Sequence, residues 1–498
     1  MNTVRQSIAF SMVEKYLSQI LLIATTAVMA RILTPAETGL YMTANAVVLL
    51  ADNFRTFGVG VYIVQEKTLS RTLVRSAFTV TLALSLAMGA AIWLGAGSLA
   101  AFYATPELKT LLMVSALGFL AIPFSSPIMA LLQRDLAFRA IACINLSAAA
   151  AGFVTTVTLG LAGWGPASYA WGFVGASFVM GALAFAARPH FWIFRPCLDG
   201  ARQLLSFGSI SSLITVSNMG YELLPRLAFG KILGFDAVGL YSRAITVCQL
   251  PDRVVVSALQ PVVLPAFAAH ARAGGSLKQS YLHGLSLMSA VQWPALILLS
   301  LLANPVVHVL LGPQWGEVPP LVRIMALANM ALAPAVLTFP ALVSSGRIGD
   351  ALWSSLISLP PSFLIVTGAA YYFGLSAVAA SLFVVAPMQM AVAYFFIRRA
   401  IDLSWAELTH AARDSALLAA GTAVLPIAVV LTSPSGFDLD WVRTLAAIVG
   451  AACGWLAALA LVDHPVKREV AGAWRFFRES MTRPRMAANP RRMAPETK

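Results

Sequence analysis

The amino-acid sequence predicts an all-α polytopic membrane protein of about fourteen transmembrane helices. Of its 498 residues, 59% are hydrophobic and 11% are charged, and the mean hydropathy is +0.79. Apolar runs long enough to cross a bilayer recur along most of the chain. A short polar stretch near the start returns two hundred residues later. This repeat predicts two parallel six-helix bundles with a pseudo-two-fold axis along the membrane normal, followed by a C-terminal helix pair.

The composition excludes a soluble protein, and the pattern of apolar residues argues against a transmembrane barrel. A soluble domain usually carries about 25% charged residues, more than twice the fraction in this chain. Strands of a membrane barrel alternate apolar and polar residues. The apolar runs in this sequence are instead continuous and rich in Leu, Ala, Met and Gly, which is typical of transmembrane helices.

Fourteen stretches have the roughly 20 apolar residues that a helix needs to cross the hydrocarbon core. No stretch between them is long and polar enough to form a separate soluble domain. Their approximate positions are 10–32, 40–62, 76–102, 108–132, 140–162, 166–187, 205–225, 238–264, 284–311, 318–345, 350–373, 375–397, 412–432 and 442–462.

The basic residues test this topology independently, because Lys and Arg concentrate in cytoplasmic loops. With a cytoplasmic N-terminus, the even-numbered connections and the two termini hold 25 of the 34 basic residues. The opposite side holds five, and four lie inside spans. Both termini are therefore predicted to be cytoplasmic. The net charge of +13 reflects this topology rather than nucleic-acid binding, because the basic residues are spread over many loops.

The repeated stretch reads RILTPAETGLY at 31–41 and KILGFDAVGLY at 231–241. Its copies follow the first and the seventh span, so both lie in outer loops and the halves are parallel repeats. Pro35 favours a break after the first helix. We interpret Gly39 and Gly239 as residues that allow a tight entry into the next helix. The repeat is thus predicted to be a shared structural turn.

These observations divide the chain into five parts. The C-terminal tail combines arginines with aromatic residues, which suits either contact with anionic lipid or an extended conformation. The parts are an N-terminal bundle at 1–187, a cytoplasmic linker at 188–203, a second bundle at 204–399, an extra helix pair at 400–463 and the basic cytoplasmic tail at 464–498.

Several stretches carry a family resemblance that covers most of residues 1–400. In the first half these are ARILTPAETGLY and an apolar helix with FGVG. In the second half they are NMGYELLPRLAFGKILGFDAVGLYSRA, PVVLPAFAAH and LLGPQWGEVPPLVRIMAL. Together they resemble the polysaccharide/oligosaccharide flippases, the Wzx-type transporters of the multidrug/oligosaccharidyl-lipid/polysaccharide exporter superfamily. Family members often place Asp where this sequence has Glu222, which is a conservative difference.

The resemblance implies a carrier for lipid-linked sugars. Such a flippase moves undecaprenyl-pyrophosphate-linked repeat units of lipopolysaccharide O-antigen or exopolysaccharide across the bacterial inner membrane by alternating access. The sugar–pyrophosphate head is polar and anionic, so it cannot cross hydrocarbon unaided, whereas the polyprenyl tail prefers lipid. The implied partners are the polyprenyl-pyrophosphate-linked oligosaccharide and membrane lipids, with a polysaccharide polymerase and chain-length machinery as candidates. Neither a cofactor nor a nucleic acid is expected.

Charged residues within or near the spans are the candidate site residues, because such residues usually face a bundle interior or water. Arg243 and Arg253 have no acidic residue four positions away, which favours a role with an anionic substrate. Salt bridges are the structural alternative, above all for Asp52 with Arg55 and for Glu222 with Arg226. The candidates for binding the substrate are Arg55, Arg226, Lys231, Arg243 and Arg253. The candidates for coupling transport to an ion gradient are Glu14, Asp52, Glu222 and Asp252.

Two alternatives from other classes remain. A drug/cation antiporter of the same superfamily would bind small cations, which favour an acidic cavity rather than arginines. A membrane glycosyltransferase or polymer ligase would carry catalytic residues on a large outer loop, but every outer loop predicted here is short. The four cysteines and six histidines lack metal or redox spacing, and no phosphate-binding glycine loop indicates an ATPase. The sequence therefore predicts a transporter and not an enzyme.

Overall fold

The first half of the molecule is helical. The computed structural model describes residues 2–56, 58–66, 68–253 and 276–467. The helices of the first half are α1 (Asn2–Ile32), α2 (Pro35–Thr56), α3 (Val59–Gln65), α4 (Arg71–Tyr103), α5 (Glu107–Arg134), α6 (Phe138–Leu161) and α7 (Ala167–Ala187).

A linker with a short 3-10 helix at Phe191–Phe194 leads into the second half. The C-terminal helix pair packs against this half, because α16 contacts α10 and α17 contacts α16. The remaining helices are α8 (Ala201–Ile232), α9 (Phe235–Cys248), α10 (Leu277–Leu301), α11 (Ala303–Leu310), α12 (Val318–Asn329), α13 (Ala333–Ser344), α14 (Ile348–Phe373), α15 (Leu375–Ile401), α16 (Trp405–Thr432) and α17 (Trp441–Leu461).

Twelve helical segments among the described residues are long and apolar enough to cross a membrane, as expected of a multi-pass membrane protein. They coincide with twelve of the fourteen predicted spans. The predicted spans at 205–225 and 238–264 are not among them. α8 is more polar than most of the long helices, because Glu222, Arg226 and Lys231 lie along it. The other span extends beyond the described part of the chain.

Some predictions fall on residues outside the described ranges. These are the second part of the predicted span at 238–264, the PVVLPAFAAH stretch and the tail from 468 onwards. The division of the chain into five parts stays a prediction.

Three of the predicted spans are interrupted rather than continuous. The second is divided into α2 and α3 near Gly58, whose φ of 64° is a left-handed conformation that glycine adopts readily. The ninth is divided into α10 and α11, and the tenth into α12 and α13, which a 3-10 turn joins. Apolar length alone does not reveal these interruptions.

The first copy of the repeated stretch forms a reciprocal helix cap. Thr34 Oγ1 accepts a hydrogen bond from the backbone N–H of Glu37 at 3.2 Å, and Glu37 Oε2 accepts one from the Thr34 N–H at 2.9 Å. The pair satisfies two backbone donors at the start of α2. Pro35 occupies the first helical position, where its missing N–H does no harm. The predicted break after the first helix is confirmed.

Gly39 and Gly239 bring the backbones of the two halves into direct contact. A Cβ added at Gly39 would lie 1.8 Å from the carbonyl oxygen of Phe235, and one added at Gly239 would lie 2.1 Å from that of Pro35. Both glycines lie inside helices, α2 and α9, and neither has a positive φ. The interpretation of these glycines as turn residues is therefore wrong. They allow two helices to cross at close range, as small residues do between membrane helices.

Further contacts join the halves at the same end of the molecule. The fully buried Trp315 donates from Nε1 to the Ala30 carbonyl at 2.7 Å. The Tyr103 hydroxyl donates to the Leu227 carbonyl at 2.8 Å. We refer to these two hydrogen bonds and the glycine crossing together as the motif-end contact. It holds the two halves together beside both copies of the repeat.

The turn after α17 is anchored by a buried histidine. His464 Nδ1 accepts a hydrogen bond from the Val466 N–H at 3.1 Å, which places the proton of the neutral ring on Nε2. Nε2 lies 3.3 Å from the Ser286 hydroxyl and 3.1 Å from the Ser415 hydroxyl. The neutral form therefore fits this site, because a proton on Nδ1 would point at the Val466 N–H, and two donors would then face each other without an acceptor.

This anchor should make the stability of the protein depend on pH. Burial lowers the pKa of His464 below its ordinary value of 6.5, an effect that the facing His283 reinforces and Asp414 opposes. The neutral ring therefore stabilises the folded protein above pH ~6.5, and this contribution is lost as the pH falls through the folded pKa. We expect His464→Gln, which keeps a donor but does not titrate, to flatten the fall of the thermal midpoint between pH ~7 and ~5.

Thermal melting of the purified protein over that pH range measures the effect. His410→Gln, at an exposed position on α16, is the matched control and should melt like wild type at each pH. An unchanged pH dependence in His464→Gln would contradict the assignment.

Candidate functional site

Arg243 is a charged side chain buried between the two halves. It lies on α9 and is 1% exposed. One terminal nitrogen donates to the Tyr169 hydroxyl at 3.2 Å, and the guanidinium group lies 5.6 Å from the centre of the Trp315 ring. Tyr169 stacks on Tyr41 of α2, with ring centres 4.3 Å apart. The Nε atom of Arg243 is buried and has no hydrogen-bond partner within the described residues.

Two further buried or half-buried arginines are connected to this position, since Arg226 and Arg243 both lie close enough to Tyr41 for their charges to interact with it. Arg226 is buried on α8 and pairs with Glu222 at 3.5 Å, while its buried Nε finds no partner in the described part of the chain. Arg253 donates to Gln249 Oε1 at 3.1 Å and lies close enough to Glu222 and Arg226 for their charges to interact. We call Arg226, Arg243 and Arg253 the arginine cluster. Glu222 supplies a negative charge beside Arg226 and Arg253.

A cavity of about 270 Å³ adjoins Glu222 inside the second half. Its polar lining comes from Glu222, Tyr241, Gln249 and Asn329, and the rest of its wall is apolar. A few convergent polar groups in an apolar wall are typical of a binding pocket. The cavity therefore offers a place for a polar group next to the positive charges.

The remaining candidate charges in the spans are paired within the protein. Asp52 Oδ1 and Arg55 form an ion pair at 2.7 Å within α2, and the Arg55 side chain is 9% exposed. Asp252 accepts a hydrogen bond from Gln292 of α10 at 2.6 Å. Asp52 and Asp252, which lie 200 positions apart in the sequence, thus differ in their partners, because Asp52 pairs with an arginine and Asp252 with a neutral amide.

Lys231 and Glu14 have contacts elsewhere. Lys231 is exposed, and its Nζ donates to the Phe102 carbonyl at 2.6 Å and lies 4.8 Å from the centre of that ring. Glu14 of α1 accepts a hydrogen bond from Asn145 of α6 at 3.2 Å. Lys231 thereby links α8 to α4, and Glu14 links α1 to α6. The roles predicted for both residues in transport stay predictions.

The family of the protein follows from a match that includes both copies of the repeat and all three arginines of the cluster. The model of the polysaccharide biosynthesis protein family matches residues 28–320. The chain belongs to this family. The resemblance predicted from the motifs is confirmed, since they lie largely within the matched region.

Two relatives illustrate the range of the family. The chain is 26% identical over 313 residues to the lipopolysaccharide biosynthesis protein WzxC of Escherichia coli (strain K12), covering 61% of the chain and 62% of that protein. It is 28% identical over 373 residues to the succinoglycan biosynthesis transport protein ExoT of Rhizobium meliloti (strain 1021), covering 74% of each. The chain thus spans less than two thirds of the length of the first relative.

Solved structures share the fold of this family member. The lipid II flippase MurJ in an inward closed conformation matches with a TM-score of 0.74 at 12% identity, over 95% of the chain and 100% of MurJ. An inward-facing multidrug resistance transporter of the MATE family, in the MOP superfamily, matches with a TM-score of 0.56 at 15% identity, over 78% of the chain and 94% of that transporter. The predicted all-helical fold is confirmed, and these two transporters share it.

Sequence reasoning missed the aromatic surroundings of Arg243. Tyr41 lies in the repeated stretch and Trp315 in LLGPQWGE, so both were visible as motif residues without an assigned contact. Tyr169 lies in an apolar helix 74 residues before Arg243, and no local pattern distinguishes it. In this family member Tyr169 and Trp315 contact Arg243, and Tyr41 supports Tyr169 by stacking on its ring.

Proposed function

We propose that the protein is a flippase that carries an undecaprenyl-pyrophosphate-linked oligosaccharide across the bacterial inner membrane by alternating access. Membership of the polysaccharide biosynthesis protein family supports this class. So do the relatives, whose names refer to lipopolysaccharide biosynthesis and to succinoglycan transport. In this proposal the protein is a transporter and not an enzyme.

The arginine cluster is the observation that carries the proposal. Planar guanidinium groups suit phosphate oxygens because they donate two parallel hydrogen bonds. Arg226 and Arg243 each retain a buried Nε–H without a partner among the described residues, although buried polar groups are normally satisfied. An anionic head that enters between the halves supplies acceptors for such donors. A small cation would instead meet an excess of positive charge.

The proposed architecture has fourteen spans in two six-helix bundles and a C-terminal pair, with both termini in the cytoplasm. The polyprenyl tail stays in lipid while the head passes between the bundles, which rock about the central site. Glu222 is the carboxylate proposed to couple transport to an ion gradient, because it lies both beside the arginines and on the cavity wall. A polysaccharide polymerase and chain-length machinery are the proposed partners downstream.

Translocation in proteoliposomes tests this function. The substrate is a fluorescent pyrophosphoryl-polyprenyl oligosaccharide, and the variants are Arg253→Ala and, as a control, the exposed Lys109→Ala. Loss of one hydrogen bond from a charged donor costs about 1.5–3 kcal/mol, so Arg253→Ala should slow translocation roughly tenfold or more. Lys109→Ala should behave like wild type. Efflux of small cations without movement of the lipid-linked sugar would assign the chain to the antiporters instead.

A further inference from the structure

The lipid-facing side of the first half carries a groove between α5, α7 and the 3-10 helix of the linker. Its volume is about 500 Å³, and every residue that lines it is apolar. Five phenylalanines dominate the lining, namely Phe124, Phe178, Phe185, Phe191 and Phe194. This volume lies within the roughly 300–1,000 Å³ typical of ligand pockets. The arginine cluster and its cavity are formed by other helices.

The groove is held open by ring contacts between the linker and the bundle. Phe194 lies 5.4 Å from Phe124 of α5 and 5.9 Å from Phe185 of α7, measured between ring centres. Phe191 meets Phe185 edge-to-face at 5.0 Å. These tilted arrangements are favourable for aromatic pairs. They fix the linker helix against the bundle as one wall of the groove.

The groove opens towards the membrane. Phe124 is 41% exposed and Phe178 is 50% exposed, and both lie on helices that are candidate membrane spans. Phe191, in the linker, is 74% exposed. Since a bilayer surrounds these spans, the surface that reaches the groove is hydrocarbon. A hydrocarbon chain is therefore the occupant whose chemistry fits the lining.

Positive charge borders one end of the groove. Arg195 directly follows Phe194 and is exposed. Arg75 of α4 fixes this part of the linker, because its Nε and one terminal nitrogen donate to the carbonyls of Arg195 and Pro196 at 3.1 and 3.0 Å. The Arg195 backbone is thus fixed directly beside Phe194, which lines the groove. A basic residue at a membrane interface attracts anionic headgroups.

We propose that this groove binds one acyl chain of an anionic phospholipid, with Arg195 contacting the lipid phosphate. The aromatic lining would contact the acyl chain, and the basic residue at the border would contact the negatively charged headgroup. The groove and its border thus match both parts of one lipid molecule. The bound lipid would reinforce the packing of the linker on the first half. The proposal concerns a membrane lipid and stands independently of the transported substrate.

Lipid binding to the purified, delipidated full-length protein provides the test. The probes are phosphatidylglycerol and phosphatidylcholine with identical acyl chains, and bound lipid is counted by native mass spectrometry. Ala182 is an exposed residue in the groove lining, so Ala182→Phe and the milder Ala182→Leu fill the groove without disturbing the core. The matched controls are Ala91→Phe on the exposed face of α4 and the distant Lys109→Ala.

We expect wild type to prefer phosphatidylglycerol, and Arg195→Ala to reduce this preference about fivefold, as loss of one basic residue near an anionic headgroup does. Both Ala182 variants should lose the high-affinity lipid, while the controls retain it. Equal binding of the two lipids by wild type would overturn the proposal, as would unchanged binding in both Ala182 variants. Displacement of the phospholipid by stoichiometric polyprenyl phosphate would also overturn it, because the groove would then belong to a polyprenyl tail.

Discussion

Gly39→Ala is expected to weaken the motif-end contact between the two halves and to slow translocation about tenfold or more. The added Cβ would lie 1.8 Å from the Phe235 carbonyl oxygen. This neighbour is backbone and cannot rotate away, so α2 and α9 must separate. Such overpacking typically costs about 1–3 kcal/mol, and each ~1.4 kcal/mol corresponds to a tenfold change in rate.

Gly95→Ala and Gly97→Ala are the matched controls for this prediction. Both glycines lie in α4, and an added Cβ would meet nothing within 4 Å. Alanine is the better helix former by about 0.5–1 kcal/mol, so the controls should be slightly more stable than wild type. Gly39→Ala should instead be less stable than wild type.

Thermal melting, translocation and hydrogen exchange at both copies of the repeat measure the outcome. Gly239→Ala should reproduce the effect, since its Cβ would lie 2.1 Å from the Pro35 carbonyl oxygen. The loss of stability in the double variant should be smaller than the sum of the losses in the two single variants, because both changes separate the same pair of helices. If Gly39→Ala behaved like Gly95→Ala in all three measurements, the glycine crossing would not be needed to hold the two halves together.

Arg243→Ala is expected to reduce translocation by roughly tenfold or more. Its side chain is buried against Tyr169 and Trp315, and its Nε is available to an anionic head. Removing one hydrogen bond from a charged donor costs about 1.5–3 kcal/mol, which corresponds to a rate loss of about ten- to hundredfold. Arg243→Lys should recover part of the activity, because it keeps the charge but loses the planar fork.

Two comparison variants separate binding from folding in this experiment. Tyr169→Phe removes only the hydroxyl that Arg243 contacts within the protein, so it should have the smaller effect on translocation. Lys109→Ala removes a positive charge at an exposed position of α5 and should leave translocation near wild type. Normal translocation by a folded Arg243→Ala would rule out this arginine as a substrate contact.

Apolar length determines most of the helix positions, so the sequence predicts them well. The predicted spans at 108–132 and 166–187 lie within two residues of the bounds of α5 (Glu107–Arg134) and α7 (Ala167–Ala187). The division of the tenth span into α12 and α13 was not predictable in this way. Its residues are apolar on both sides of the 3-10 turn, and the local feature at the interruption is Pro334 in the first turn of α13, which lacks the N–H that a continuous helix would need.

From the sequence, the candidate site was predictable only as a set of charged residues within the predicted membrane spans. The sequence places Arg243 and Asp252 inside a span, where a charge needs a partner or water. It does not reveal that Tyr169 contacts Arg243 or that Gln292 contacts Asp252, because these partners come from distant helices. The spacing of three residues between Asp52 and Arg55, by contrast, was enough to suggest their ion pair, because it acts within one helix.

The glycine crossing gives the contact between the two halves a two-fold character. Gly39 approaches Phe235 of the second copy of the repeat, while Gly239 approaches Pro35 of the first. Two equivalent surfaces that meet in this reciprocal way have the geometry of an isologous, two-fold dimer interface. The single polypeptide therefore contains, between its own halves, the kind of contact that a symmetric homodimer forms between two subunits. Two separately expressed halves would still possess the complementary surfaces with which to reassemble.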